Sequence, residues 1–225
     1  IIYLIAKSRR IMLVSVVIPC YNHGLYLEET VKSVVNSKYD ELEIIIVDDG
    51  STDNSKEVAM LLCSKFSNVS YYFQANSGPS VARNFGISQS SGKYILPLDA
   101  DDLISDNYIV EAVSKLNEDP DLKVVYAKAN KFGKVNKPWS LKKFSLYNLA
   151  MDNLIYVCAI FRKSDWERVN GYTENKVLVR EDWEFWIKLL KDGGKVIQLP
   201  FVGFYYRIHT TSRRKSMSKD KKNAE

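Results

Sequence analysis

Three carboxylates follow an apolar run directly in the segment ILPLDADDL, which spans residues 95–103. Asp99, Asp101 and Asp102 are separated only by Ala100, and like charges this close repel each other. Hard divalent cations such as Mg²⁺ and Mn²⁺ bind carboxylate oxygens and are often shared with substrate phosphates. The segment therefore predicts a divalent-cation site. The alternative is an ordinary turn in which Ser105 caps the next helix.

A second pair of carboxylates ends another apolar run, in the segment IIIVDDGSTD of residues 44–53. Asp49 can accept hydrogen bonds from a nucleobase or a ribose, and Gly50 permits a tight turn beneath a ligand. A plain strand-to-helix connection with an aspartate cap explains these residues equally well. Arg83 lies in a loop-to-helix segment, residues 74–86. Its planar guanidinium suits a phosphate, although a surface arginine is the commoner case.

Two histidines and one acidic pair complete the candidate residues. His209 follows an apolar run beside Arg207, and a neutral imidazole there could bind the cation. His23 is interpreted as an ordinary surface residue. Glu181 and Asp182 open a predicted helix, where acids favour the positive end of the helix dipole. The residues alone do not separate that role from catalysis.

The residues that could do chemistry lie at the ends of predicted strands. Apolar runs of strand length alternate with segments whose apolar residues recur like one helix face. The predicted strands are 14–19, 43–47, 69–73, 94–98 and 123–127. The first predicted helix is 27–36. The second follows a cap at Ser51 or Asp53 and carries Val58, Leu61 and Leu62. The third and fourth are 79–91 and 107–117, the latter capped by Ser105 or Asp106. This alternation predicts an α/β fold with a mostly parallel central sheet flanked by helices, and a ligand beyond the carboxyl ends of the strands.

After residue 127 the alternation weakens. The basic segment 128–143 precedes a predicted strand at 155–161 and a helix at 181–191. That helix is expected to bury Trp183, Trp186, Ile187 and Leu190, and 196–206 is expected to form a pair of strands. We interpret residues 14–212 as one domain, with a nucleotide-binding half at 14–127 and an acceptor half at 128–212. Residues 1–13 and 213–225 are flanking segments.

Bulk composition narrows the classes of protein. The 225 residues are 46% hydrophobic, which suits one compact domain, and the net charge is +5. Three widely spaced cysteines without a CxxC pattern favour a reduced, cytoplasmic protein. The first apolar run is too short to span a bilayer. The basic tail 213–222 is expected to be a solvated end, with attachment to an anionic membrane as the alternative. Its basic residues are not interleaved with aromatics, so no nucleic-acid partner is expected.

Seven segments in this order resemble the bacterial family 2 glycosyltransferases, which have the GT-A fold and act with inversion. The matching segments are VSVVIPCYN (14–22), IIIVDDGSTD (44–53), QANSGPSVARNFGI (74–87), ILPLDADD (95–102), NGY (170–172), EDWEFWIKL (181–189) and YRIHTTS (206–212). The resemblance implies a nucleotide-sugar donor, with UDP the commonest nucleotide, and a saccharide or lipid-linked saccharide acceptor. It implies no particular oligomeric state.

The resemblance also implies roles for individual residues. The nucleotide-binding residues would be Pro19, Tyr21, Asp49, Arg83, Asp99 and Ala100. Asp101 and His209 would bind Mn²⁺ or Mg²⁺, with Arg207 near the diphosphate. Asp182 would be the catalytic base.

The implied reaction is transfer of a hexosyl or N-acetylhexosaminyl group, in the synthesis of a cell-surface polysaccharide at the inner face of the membrane. One alternative is a phosphotransferase of the haloacid-dehalogenase kind, which also uses two aspartates after a strand. There the pair usually follows the first strand, whereas here it follows the fourth predicted one. The other alternative is a catalytically dead domain that binds sugar nucleotides.

Overall fold

The computed structural model describes residues 12–174 and 180–209. Within these ranges nine strands form one mixed sheet, in the order β3-β2-β1-β4-β8-β6-β9-β5, with β7 paired to β6. The strands are β1 Val14–Cys20, β2 Leu42–Asp48, β3 Val69–Phe73, β4 Tyr94–Pro97, β5 Leu103–Ile104, β6 Leu122–Gly133, β7 Lys137–Trp139, β8 Ile160–Arg162 and β9 Lys195–Ile208. The helices are α1 Gly24–Val35, α2 Ser55–Lys65, α3 Pro79–Gln89, α4 Tyr108–Glu118, α5 Leu146–Met151, α6 Lys163–Arg168 and α7 Glu181–Leu190.

The first half of the sheet is parallel, as predicted. Strand β1 lies between β2 and β4, with Cys20 opposite Asp48 and Val17 opposite Pro97. These strands are apolar and buried because helices cover both faces of the sheet. Helix α3 lies directly on β1 at Gly86, where a Cβ atom would meet Val17 Cγ1 at 2.5 Å.

The second half of the sheet is mixed and differs from the sequence expectation. Residues 196–206 belong to one strand, β9, rather than a pair, and β9 runs parallel to β6. The strand expected at 155–161 is short, Ile160–Arg162, and lies antiparallel between β4 and β6. Strand β6 continues to Gly133 into the basic segment. The proposed division at residues 127 and 128 therefore falls inside β6.

The residues predicted as helix caps do not occupy the cap positions. In α2 that position belongs to Asn54, which makes no side-chain cap hydrogen bond, and Asp53, one residue earlier, accepts a hydrogen bond at Oδ1 from the amide of Ser55 at 3.0 Å. The predicted side-chain caps of α4 are wrong. Asn107 takes the cap position, and Ser105 contributes only its backbone carbonyl, to the amide of Tyr108. Asp106 instead pairs with Lys38 at 2.8 Å.

The packing decides which apolar residues of two helices are buried. In α2, Leu62 is buried and Leu61 is 51% exposed. In α7 the buried residues are Phe185, Trp186, Leu189 and Leu190, whereas Ile187 is 38% exposed and Trp183 is partly buried. The buried face of α7 is thus rotated from the predicted one.

In the described ranges, no helix is long and apolar enough to cross a bilayer. The predicted flanking segments fall outside these ranges, apart from Met12 and Leu13.

Candidate active site

The carboxyl ends of β1, β2 and β4 lie side by side, and the candidate residues leave the sheet at this edge. Tyr21 follows β1 and is 48% exposed, and Pro19 lies in β1 opposite Val47. Asp49 follows β2, and Asp99 lies two residues beyond β4. Parallel pairing therefore brings three separate segments of the sequence to one edge of the sheet.

Asp49 is buried and pins the loop that precedes α3. Its carboxylate accepts hydrogen bonds from Gln74 Nε2 at 2.7 Å, Ser77 N at 2.7 Å and Gly78 N at 2.8 Å. Gly50 has a φ of 77°, and a Cβ there would meet Asn76 N at 2.7 Å, so the loop packs on a glycine. A carboxylate offers about four acceptor positions. One acceptor position of the Asp49 carboxylate therefore remains for a nucleotide. A contact between Asp49 and a base or ribose stays a prediction.

The DADD segment points its residues in different directions. Ala100 is fully buried, and its carbonyl accepts a hydrogen bond from Thr30 Oγ1 in α1 at 2.9 Å. Asp102 is also fully buried and accepts a hydrogen bond from the backbone amide of Arg207 at 2.8 Å. Burial, together with the charges of Asp101 and Asp99, raises the pKa of Asp102 well above its ordinary value. Asp99 and Asp101 are the carboxylates that face the edge.

Strand β9 delivers the residues that meet Asp101. His209 Nε2 lies 2.5 Å from Asp101 Oδ2, although 108 positions separate the two residues. Arg207 fixes this end of β9, because its Nε donates to the Asp101 carbonyl at 2.8 Å and its Nη2 to Glu29 at 2.6 Å. The structure thus brings together the two residues that the sequence assigned to the cation. The Arg207 guanidinium, which was expected near the diphosphate, is hydrogen-bonded to the Asp101 carbonyl and to Glu29 in this structure.

His23 corrects the sequence interpretation. It is not an ordinary surface residue, since its ring stacks on His209 with centroids 5.9 Å apart and planes 9° apart. One ligand atom from each of His23, Asp101 and His209 lies within 4.8 Å of the others. Two ligands that share one ion through bonds of about 2.1 Å lie roughly 3 to 4 Å apart. The three groups lie close to that range, and small side-chain movements would bring them into it. Carboxylate and imidazole are suitable donors, so the chemistry of these residues fits a divalent cation.

Arg83 links the two sides of the site. Its side chain is only 3% exposed; Nη2 donates to Asp99 Oδ1 at 2.7 Å and Nη1 donates to Glu181 Oε1 at 3.0 Å. The guanidinium therefore joins the segment after β4 to the first turn of α7. A buried cation between two carboxylates offsets their desolvation and fixes both side chains.

Asp182 is adjacent to this bridge but is held differently. Its Oδ2 accepts a hydrogen bond from Asn153 Nδ2 at 2.7 Å. Desolvation and then the charge of Glu181 raise the pKa of Asp182 to about 6, against the opposing effects of Arg83 and Asn153. A carboxylate with that pKa is mostly ionised at neutral pH and can still accept a proton. Asp182 is therefore suited to act as a base, whereas Glu181 is paired with Arg83.

Sequence reasoning missed two residues of this arrangement. His23 carried a usable signal, because it directly follows Tyr21 and Asn22 at a predicted strand end. Asn153 carried none, since it lies between α5 and β8 and reaches Asp182 only through the packing of α5 against α7. The Nε1 of Trp183 donates to the Leu149 carbonyl and secures that packing.

A family model and the similar proteins of known sequence agree on one family. The model of the family described as "Glycosyl transferase family 2" matches residues 15–183. Glycosyltransferase GlyG of Streptococcus pneumoniae is 41% identical over 107 residues, which cover 47% of this chain and 36% of that protein. An uncharacterized glycosyltransferase of Rickettsia typhi, RT0329, is 30% identical over 191 residues, which cover 80% of this chain and 59% of that protein. The chain thus spans under two thirds of these relatives.

Solved structures share the fold. Residues 1–349 of Staphylococcus aureus TarS in complex with UDP-GlcNAc superpose with a TM-score of 0.79 at 23% identity, covering 91% of this chain and 61% of that one. The mannosyltransferase PcManGT of Pyrobaculum calidifontis, in complex with GDP-Man and Mn²⁺, gives a TM-score of 0.67 at 19% identity, covering 90% and 58%. The predicted α/β architecture of the GT-A type is confirmed.

Proposed function

The chain belongs to glycosyl transferase family 2, and we propose that it transfers a sugar from a nucleotide-diphosphate donor to an acceptor hydroxyl with inversion at the anomeric carbon. The observation that carries the proposal is the Arg83 bridge from Asp99 to Glu181. The bridge joins Asp99, two residues before the cation-binding candidate Asp101, to Glu181, the residue before the candidate base Asp182. A displacement at the anomeric carbon needs both components, because the cation stabilises the leaving group and the base activates the nucleophile.

The donor side is formed by the carboxyl ends of β1, β2 and β4. We propose that Pro19, Tyr21 and Asp49 bind the base and ribose, with Arg83, Asp99 and Ala100 forming the adjoining part of the nucleotide site. Asp101 and His209 would hold Mn²⁺ or Mg²⁺, which supplies charge stabilisation for the departing diphosphate when bound. UDP is the nucleotide that we propose, and a hexose or an N-acetylhexosamine the sugar. TarS in complex with UDP-GlcNAc supports UDP and an N-acetylhexosamine, and PcManGT in complex with GDP-Man and Mn²⁺ supports a hexose and the cation; both have the same fold as this chain.

Asp182 would act on the acceptor. It accepts the hydroxyl proton on a carboxylate oxygen as the acceptor oxygen forms its bond to the anomeric carbon, and the bond to the diphosphate breaks. Asn153 orients the carboxylate by donating to Oδ2. A single displacement inverts the anomeric configuration and needs no covalent intermediate. General-base catalysis of this kind contributes about 10²–10⁴-fold to the rate.

The acceptor that we propose is a saccharide or a lipid-linked saccharide, in the synthesis of a cell-surface polysaccharide. The protein would work in the cytoplasm, in contact with the inner face of the membrane. Both statements rest on the family to which the chain belongs.

The test is donor turnover with a panel of nucleotide sugars. The wild-type protein is incubated with UDP-, GDP- and dTDP-sugars and Mn²⁺, and release of nucleoside diphosphate is measured with saccharide acceptors and with water alone. We expect the wild-type protein to turn over sugars of one nucleotide class and to give a product whose anomeric configuration is opposite to that of the donor. This turnover should be lost in Asp182→Asn. Binding without any turnover would indicate a catalytically dead domain. Phosphate release from simple phosphate esters would indicate a phosphotransferase instead.

A further inference from the structure

His23 lies at a rigid turn between β1 and α1. The preceding residue, Asn22, has a φ of 55°, in the left-handed region that few residues other than glycine adopt. Its side-chain Oδ1 accepts from Thr52 N at 2.7 Å, and its backbone N donates to Ser51 Oγ at 2.9 Å. The turn that presents His23 is therefore held by the neighbouring DDGST segment.

The position of His23 would ordinarily be used for capping. It is the residue before the first residue of α1, where Ser, Thr, Asp and Asn are preferred because their side chains accept a backbone hydrogen bond. His23 makes no such side-chain bond. Its backbone carbonyl begins the helix by accepting from Tyr26 and Leu27, and its ring turns instead toward His209. Helix capping thus does not account for this side chain.

The ring of His23 faces the atoms that the proposed function assigns to the cation. It is stacked on His209, and Tyr26 completes a three-ring group with a centroid 5.0 Å from that of His209. Ligand atoms of His23, Asp101 and His209 lie within 4.8 Å of one another. We propose that His23 is a third protein ligand of the divalent cation; this rests on the proposed function, which places the cation at Asp101 and His209.

A second imidazole has a consequence for metal choice. Mg²⁺ binds oxygen ligands almost exclusively, whereas imidazole nitrogen suits later divalent metals, and affinity rises along the series that begins at Mn²⁺. Two histidines and one carboxylate therefore favour Mn²⁺ over Mg²⁺. Removing His23 should weaken binding of Mn²⁺ far more than binding of Mg²⁺, and so reduce the selectivity of the site.

The experiment uses the whole chain with Mn²⁺ or Mg²⁺, with and without UDP. Pulsed EPR of bound Mn²⁺ counts coordinated imidazole nitrogens, and calorimetry measures affinity. We expect two imidazole nitrogens in the wild type and one in His23→Phe, which keeps a ring but removes the ligand atom. We expect Mn²⁺ affinity to fall at least about tenfold in that variant. Removing a group that only supports a metal ligand already weakens metal binding about 10–100-fold, and a ligand should matter at least as much. Mg²⁺ affinity should change by less than about threefold.

Tyr26→Leu is the matched control, because it removes the other ring beside His209 and no ligand atom. It should keep two imidazole nitrogens and nearly wild-type Mn²⁺ affinity. One nitrogen in both the wild type and His23→Phe, with equal affinities, overturns the proposal and leaves the proposed function intact. Equal weakening in His23→Phe and Tyr26→Leu also overturns it, since packing alone would then explain the effect. A wild-type protein that binds no Mn²⁺ even with UDP defeats the cation site of the proposed function itself.

Discussion

Replacing Asp182 by Asn should make the protein more stable and nearly inactive. The perturbation keeps the shape of the side chain, and an amide oxygen can still accept the hydrogen bond from Asn153 Nδ2. It removes a charge that the structure disfavours, because desolvation and Glu181 raise the pKa of Asp182 from its ordinary 3.8 to about 6. The same charge is what a general base requires.

The stability effect follows from that pKa. A shift from 3.8 to about 6 corresponds to a ceiling of roughly 3 kcal/mol on the free energy of unfolding at pH 7. We expect about 1–2 kcal/mol, since Asp182 retains partial exposure to solvent. Between about pH 4 and pH 6 the folded state binds more protons at Asp182 than the unfolded state does, so this residue lowers stability as pH rises. The gain in Asp182→Asn should therefore vanish near pH 4 and be complete above pH 7.

The activity effect has the opposite sign. In the wild type, kcat/KM should fall about tenfold for each pH unit below about 6, because only the ionised carboxylate accepts a proton. In Asp182→Asn the transfer rate at pH 7 should fall about 10²–10⁴-fold, with donor affinity nearly unchanged.

Urea unfolding at pH 4 and pH 7, together with a transfer assay, checks both effects. Glu181→Gln is the matched control. It removes a partner of Arg83 and so should destabilise the protein, while lowering the pKa of Asp182 and moving the acidic limb to lower pH. Equal stability of Asp182→Asn and wild type at pH 7, or full transfer activity in Asp182→Asn, would refute the reasoning.

Three further predictions concern single residues of the site. Asp101→Ala should abolish the Mn²⁺-dependent part of UDP binding, so that calorimetry gives equal UDP affinities in Mn²⁺ and in chelator. Asp49→Ala should weaken binding of uridine without metal, whereas Gln74→Ala, which removes one hydrogen bond to Asp49, should have a much smaller effect; a loss confined to metal-dependent binding would contradict the assignment. Arg83→Leu should lower the free energy of unfolding by roughly 3–5 kcal/mol, because two carboxylates lose the buried cation between them. Arg83→Lys should be milder in urea unfolding, and a Leu variant as stable as wild type would show that the bridge contributes nothing.

The first half of the fold was predictable because its signals are local. Continuous apolar runs at β1, β2 and β4 identify buried parallel strands, and the ends of such strands must share one edge of the sheet. Asp99, Asp101 and Asp49 could therefore be grouped from sequence alone. His209 was a candidate from its place after an apolar run beside Arg207, but only the family resemblance joined it to Asp101, since nothing local in the sequence indicates that β9 ends beside the DADD segment.

The remainder depends on tertiary packing. Helix α7 has apolar residues at most positions, so its sequence does not decide whether Ile187 or Phe185 faces the core; the contacts of Phe185 with Phe161 and Tyr172 decide it. Strand β8 is short and antiparallel, and its pairing between β4 and β6 has no sequence signal. Asn153 reaches Asp182 only because α5 packs on α7.

The place of β9 in the sheet has a consequence for synthesis on the ribosome. Strand β9 lies between β6 and β5, both of which emerge well before it. At about 5–20 residues per second, the interval between Gly133 and Ile208 takes roughly 4 to 15 s. During that interval the nascent chain presents an unpaired edge of β6, which is open to pairing with other chains. His209 follows β9 directly, so the nascent chain acquires the full set of proposed cation ligands only when that edge closes.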